Sequence, residues 1–418
     1  MVSKTDPQQA TFTVTMDRLV YGGDAMGRLP DGRAVFVPYT LPGEQVRVRV
    51  VEEKRGHVRA ELLEVLHPSP DRIPLRFPQA QSCGSTHYQH MPYELQLSTK
   101  AEILAEQLSR IAGLVDPPVR PILPSARIWN YRNHIQLHID DQGRLGYHEP
   151  RSRRVIPIHN DPLAEEPLNQ LLPYLAVEPI PSLERVSLRV GLDEDILLVL
   201  QANQPDAPDL SVEGLDVSAV YVSPHGQLLM AGSDHLFMEA AGRAYKVSAQ
   251  SFFQANSLQA ATMVAYLLEH LPLQPHMTVL ELYSGVGLFS AQIAPHVARL
   301  VAVEASSSAC ADFVENLDEY DNVELYEAPV EQTLPSLDIK PDLLLVDPPR
   351  SGLGARVIPH ILSSEAPLLA YISCDPATLA RDARRLLEAG YQLEHATPVD
   401  MFPQTYHIES LSLWRRTR

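Results

Sequence analysis

Two short apolar runs, each ending abruptly in polar residues, constrain this chain more than anything else in it. Leu343–Val346 stops at Asp347-Pro348-Pro349, and Leu368–Ile372 stops at Ser373-Cys374-Asp375-Pro376, with a helix-length connection between them. Runs this short, alternating with helix-length segments, read as buried parallel strands whose carboxyl ends carry the chemistry. The same alternation begins at Thr278, so the carboxy-terminal part is predicted to be a doubly wound α/β sheet. At the second stop Asp375 is a good N-cap and Pro376 suits the first helical position. Cys374 is then expected just before a helix N-terminus, where the dipole favours thiolate over thiol. By residue type alone it is either a nucleophile or a small buried side chain.

VLELYSGVGLFS (Val279–Ser290) reads as a strand, a glycine turn and the start of a helix. Gly285 and Gly287 are expected to let backbone approach a ligand, with free N–H groups on the following helix. Glu304 ends the next strand, the position from which a carboxylate grips ribose hydroxyls. A dinucleotide fingerprint wants a third glycine where Ser290 stands, so the pattern favours an adenosine-containing ligand without pyrophosphate.

At 418 residues the chain is too long for one ordinary core. Residues 1–67 read as an OB-like five-stranded β-barrel: TFTVTMDRLV alternates, YGGDAMG reads as a turn, and Val46, Val48 and Val50 oppose Arg47 and Arg49. Net charge is −18, which disfavours nucleic acid except where basic residues concentrate. The barrel is charge-balanced, so it is either an RNA contact or a packing module. A helix within 93–125 carries an apolar stripe of Leu97, Ala101, Leu104, Leu108 and Ile111, stops at Gly113, and is expected to pack on the catalytic domain. Residues 68–92 and 126–246 read as a central antiparallel β-sheet domain, and 247–418 as a Rossmann-like catalytic domain. Arg151, Arg153 and Arg154, with Arg132 upstream, form the densest basic group and are the residues expected to touch RNA. No apolar run approaches the ~20 residues of a membrane span, and MVSKTDPQQATF lacks a signal-peptide pattern. A cytoplasmic, monomeric protein with no membrane association is expected.

SFFQAN, LELYSGVGLFS, VDPPRSG, YISCDPATLARD and FPQTYHIES occur in that order, and together they resemble the S-adenosylmethionine-dependent RNA uracil-C5 methyltransferase family, whose members make 5-methyluridine. The amino-terminal barrel resembles the TRAM domain that many members carry. The resemblance implies that Gln254, Tyr283, Glu304 and Asp347 contact S-adenosylmethionine, that Cys374 is the nucleophile, and that Glu409 is the general base. It favours ribosomal RNA of the large subunit as partner over transfer RNA, since bacterial enzymes acting on transfer RNA generally lack the barrel. Two alternatives differ in class: an amino-group methylase, which has no need of Cys374, and a non-catalytic RNA-binding or ribosome-assembly factor.

Many members hold an iron–sulfur cluster on four cysteines. Aligned on Gln89-His90, those positions carry Phe77, Cys83, Thr86 and Asp161, so the cluster is expected to be absent. Cys83, His87 and His90, with His159 or Asp161, have spacing compatible with zinc. A packed cysteine is preferred, and no metal is assigned.

Overall fold

Val46, Val48 and Val50 are buried while Arg47 and Arg49 point outward to Glu64 and Glu61, so strict alternation closes the first unit into a barrel. A computed structural model describes residues 11–78, 84–150, 152–175, 182–207 and 216–417. The barrel strands are β1 (Thr11–Leu19), β2 (Asp24–Arg28), β3 (Ala34–Pro38), β4 (Gln45–Glu53) and β5 (His57–His67), closed in the order β1-β2-β3-β5-β4. The expected turn at YGGDAMG is shorter than the sequence suggests. Only Tyr21 to Gly23 turn, because Asp24–Arg28 pairs with both β1 and β3. Tyr88 and Met91, from the segment that follows, complete the barrel's core.

The helix Tyr93–Gln107 runs into a wider turn, Leu108–Ala112, and ends at Gly113 with φ +79°. The predicted apolar stripe is only half right. Leu104 and Leu108 are buried, but so are Gln96, Lys100 and Gln107, while Leu97 and Ala101 are only partly covered. The helix is rotated because its polar residues have fixed partners. Gln96 bonds the backbone and side chain of Gln404, and Lys100 bonds Asp400 and the Phe402 carbonyl.

The central sheet comprises β6 (His134–Ile139), β7 (Leu145–His148), β8 (Val155–Pro157), β9 (Leu183–Val190), β10 (Ile196–Ala202), β11 (Val217–Ser223) and β12 (Gly226–Ala231), ordered β12-β11-β10-β9-β6-β7-β8. It is not wholly antiparallel as predicted, because β10 and β11 are parallel, Ile196 facing Val217. The hairpin β13 (His235–Ala240) and β14 (Arg243–Ser248) buries Met238, Ala240, Tyr245 and Val247 in the catalytic core. By packing, therefore, the catalytic unit starts before residue 247.

The last sheet has β15 (Thr278–Leu282), β16 (Arg299–Glu304), β17 (Val323–Glu327), β18 (Leu343–Val346), β19 (Leu368–Ser373), β20 (Tyr391–Val399) and β21 (Glu409–Arg416), in the order β17-β16-β15-β18-β19-β21-β20. The first five are parallel. Of these, β15, β16, β18 and β19 are buried between two layers, which explains their apolar runs, whereas the edge strand β17 (VELYE) is largely exposed. The strand order reverses between β15 and β18, the place where open α/β sheets bind ligands. β21 inserts antiparallel between β19 and β20. Its first residue therefore lies at the same edge as the carboxyl ends of the parallel strands. Among the described residues, no helix is long and apolar enough to cross a membrane.

Candidate active site

Reading along that edge, β16 ends at Glu304, β15 runs into Tyr283-Ser284-Gly285, β18 into Asp347, β19 into Cys374, and β21 begins at Glu409. Neighbouring strands lie about 4.8 Å apart. Residues scattered over more than a hundred positions thus stand in one row. Ser373 pairs with Ser410. Cys374 and Glu409 are the next residues beyond that pair, and they lie near enough for the Glu409 carboxylate to act on the Cys374 thiol.

Cys374 is held from its own helix. Asp375 caps Pro376–Glu388, its side chain accepting the Thr378 amide at 2.8 Å. The same helix anchors the neighbouring turn. Thr378 Oγ1 donates to the Arg350 carbonyl at 3.1 Å, and Asp382 accepts from the Leu353 amide and the Tyr371 hydroxyl, each at 2.9 Å. The ATLARD stretch, through Thr378 and Asp382, therefore holds the Arg350–Leu353 turn that follows Asp347 against the helix that follows Cys374.

Electrostatics correct the expected thiolate. Burial pushes the Cys374 thiol up to about 12, reinforced by Glu409 and Asp347 and opposed by Arg350. One helix terminus does not outweigh burial beside two carboxylates. Glu409 is raised well above the ordinary carboxylate range, first by burial and then by Asp347, with Arg350 again opposing. Burial alone carries Asp347 up to about 7. Beneath them Glu281, bonded to Ser290, is raised by burial to about 8, with Asp347 and Glu304 contributing. Glu281 lies in the LELYSG motif, but only the packing reveals that it belongs to this acidic group. Arg350, exposed at the mouth and 3.5 Å from His407 Nδ1, is the cation facing them.

The two glycines of the turn have different surroundings. Gly285, at φ +56°, faces open space, and its amide donates to Glu304 Oε2 at 2.9 Å. A Cβ on Gly287 would instead lie 2.4 Å from Leu317, and its amide donates to the Ser284 carbonyl. Gly287 thus allows Leu317 and Phe313 to pack closely against the turn. The α-helix after it spans only Ser290–Ile293, and the amides of Tyr283, Gly285 and Gly287 are bonded to the Val303 carbonyl, Glu304 and the Ser284 carbonyl. Tyr283 holds φ +64°, an uncommon conformation for a non-glycine residue, at the point where β15 opens onto the crevice.

Gln254 is buried, and its carbonyl accepts the Asn133 side chain at 3.0 Å. This links SFFQAN to Arg132-Asn133. Its neighbour Phe252 is 68% exposed although Phe253 is buried, a split between paired aromatics that sequence alone did not resolve. Arg132 is not part of an exposed basic patch. It lies against Tyr131, Asp161 and Tyr147, and its charge is felt at His87 and His407. Arg154 is paired with Glu149, Arg153 is exposed, and Arg151 lies outside the described residues. Cys83 also lies outside them. Asp161 accepts from the Leu163 amide at 2.9 Å and from Tyr147. Among the described residues no group of three or more His, Cys, Asp or Glu is placed to hold a metal ion.

Comparison with known proteins extends this picture. Residues 208–417 match the family model described as tRNA (uracil-5-)-methyltransferase, and residues 8–63 match the TRAM domain. An uncharacterized RNA methyltransferase of Thermosynechococcus vestitus is 32% identical over 97% of this chain and 98% of its own. One from Aquifex aeolicus is 31% identical over 96% and 97%. Among solved structures, Pyrococcus abyssi tRNA (uracil-54, C5)-methyltransferase in complex with S-adenosyl-L-homocysteine superposes with a TM-score of 0.74 at 24% identity, covering 96% of this chain and all of that one.

Proposed function

Since this chain belongs to the tRNA (uracil-5-)-methyltransferase family and carries a TRAM domain, a family of S-adenosylmethionine-dependent RNA methyltransferases, we propose that it methylates uridine C5 through a transient bond between Cys374 and the pyrimidine ring. The observation that carries this reading is the juxtaposition of Cys374 and Glu409 at the edge shared with Glu304 and Asp347.

The residues fit the donor. An acidic crevice of Glu304, Asp347 and buried Glu281 suits a ligand bearing ammonium and sulfonium charges, and Gly285 leaves room above the turn. Gln254, Tyr283, Glu304 and Asp347 would hold it. When bound, S-adenosylmethionine supplies an electrophilic methyl group. The chain's own residues supply the rest. The sulfur of Cys374, once deprotonated, bonds uracil C6 and moves the ring's electron pair toward C5, which can then take the methyl group. Glu409 removes the C5 proton, the C6–sulfur bond breaks, and the double bond and thiolate return. A carboxylate with a raised pKa is matched to that proton transfer near neutral pH.

For the RNA, large-subunit ribosomal RNA is the proposed target. Transfer RNA is the second reading, favoured by one observation: the Pyrococcus fold matches over 96% of this chain, so the barrel does not by itself separate the two. Mass spectrometry of ribosomal and transfer RNA from a strain lacking the gene names the missing 5-methyluridine. The mechanism is tested with transcripts containing 5-fluorouridine. Wild-type protein is expected to remain covalently joined to a genuine target, and Cys374→Ala to form no adduct and lose methyl transfer. Methyl transfer retained by Cys374→Ala sinks the covalent reading in favour of amino-group methylation.

A further inference from the structure

The amino-terminal barrel reaches the residue next to the nucleophile. In the turn between β1 and β2, the Tyr21 hydroxyl donates to Asp375 Oδ2 at 2.8 Å, while Asp375 Oδ1 accepts the Thr378 amide that opens the helix. The same turn rests on the segment leading to Glu409. Tyr21 meets the Tyr406 ring edge-on at 6.2 Å, and a Cβ at Gly23, φ +90°, would lie 3.0 Å from Tyr406. The barrel therefore touches the chain on both sides of the Cys374–Glu409 pair.

From these contacts we propose that Tyr21 is a positioning residue for Cys374, acting through Asp375, so that the barrel forms part of the active site. The inference rests on the nucleophilic reading of Cys374. Two donors on one carboxylate pin the turn that aims the sulfur. The hydroxyl also draws Asp375's negative charge away from a sulfur that must become anionic. Cys374 is faced by Glu409 from β21, by Asp347 and Arg350 from the turn after β18, and by Tyr371 and Asp375 from its own segment. Among the carboxylates that act on Cys374, Asp375 is the one tied to the barrel.

Tyr21→Phe removes the hydroxyl and keeps the ring against Tyr406. It is expected to lower kcat about tenfold, as for one lost hydrogen bond to a charged group, with KM for RNA and the melting temperature little changed. The rate of iodoacetamide alkylation of Cys374 at one fixed pH, read at that peptide by mass spectrometry, should fall. Asp375→Asn still caps the helix but carries no charge, and adding Tyr21→Phe to it should slow alkylation no further. Equal slowing in both backgrounds overturns the proposal, as does an unchanged alkylation rate and kcat, or a change in KM alone. The alkylation readout needs no turnover. It therefore judges Tyr21 separately from the Cys374→Ala assay, which judges the nucleophile itself.

Discussion

Two places in this protein bury carboxylates beneath the same carboxy-terminal segment, and they are built on opposite principles. At Asp400 the charge is matched. Lys100, fully buried, donates from Nζ to Asp400 Oδ1 at 2.5 Å and to the Phe402 carbonyl at 2.9 Å. At half-buried Asp347 and buried Glu409 no buried cation is paired with either acid among the described residues, Arg350 stands exposed at the mouth, and desolvation drives both acids toward the protonated form. A buried pair fastens the helix Tyr93–Gln107 to the loop that leads into β21. A buried acid without a matched cation is unfavourable for folding, and such groups collect where proton transfer or a cationic ligand uses them.

The contrast can be broken by exchanging what each region lacks. The largest effect is expected from Glu409→Gln, which removes the proton acceptor. Turnover should fall about 10²–10⁴-fold while the covalent RNA adduct accumulates, seen as a slow-migrating band on a denaturing gel. In wild type the base form of Glu409 appears only as pH rises, so single-turnover rates should climb with pH more steeply than in the variant, whose remaining rise comes from deprotonation of Cys374. Next, Lys100→Met leaves Asp400 buried and unpaired and should cost about 3–5 kcal/mol in urea unfolding. Lys100→Met combined with Asp400→Leu should recover most of it. If Lys100→Met is no worse than the double variant, the pair is not a matched fastening.

Asp347→Asn should act in the other direction on the ligand-free protein. Its carboxyl titrates at about 7 when folded against 3.8 unfolded, so the folded state binds the extra proton between those values. Wild type therefore loses stability as pH rises through that window, while the neutral variant does not. The variant's melting temperature should gain on wild type from pH 4 to about 7 and hold the advantage above it, at the expense of S-adenosylmethionine binding measured by calorimetry. The smallest effect belongs to the exposed barrel pairs. Arg47→Ala should change stability by less than ~1 kcal/mol, and a larger loss would mean the barrel depends on its surface ions.

Much of the catalytic unit was legible in the sequence because its signals are local. The apolar run Leu343–Val346 marks a strand that is buried on both faces, and Asp375-Pro376 marks a helix start by cap chemistry alone. Errors appeared where a residue's partner is distant. The stripe on Tyr93–Gln107 was misplaced because Gln96 and Lys100 are buried against Gln404 and Asp400, some three hundred residues away in the chain. The packing of Leu317 against Gly287 is equally invisible to any local pattern. The parallel pairing of β10 with β11 is likewise invisible in their alternation.

What the sequence determined by itself was the set of strand ends, caps and motifs, since these depend on a few neighbouring residues and their φ/ψ preferences. What the tertiary structure alone decided was that β21 returns antiparallel beside β19, bringing Glu409 to Cys374, and that the barrel's Tyr21 reaches Asp375. It also decided the charge state. A helix terminus favours thiolate, but burial beside Asp347 and Glu409 holds Cys374 as a thiol, because desolvation belongs to the assembled site and to no single residue.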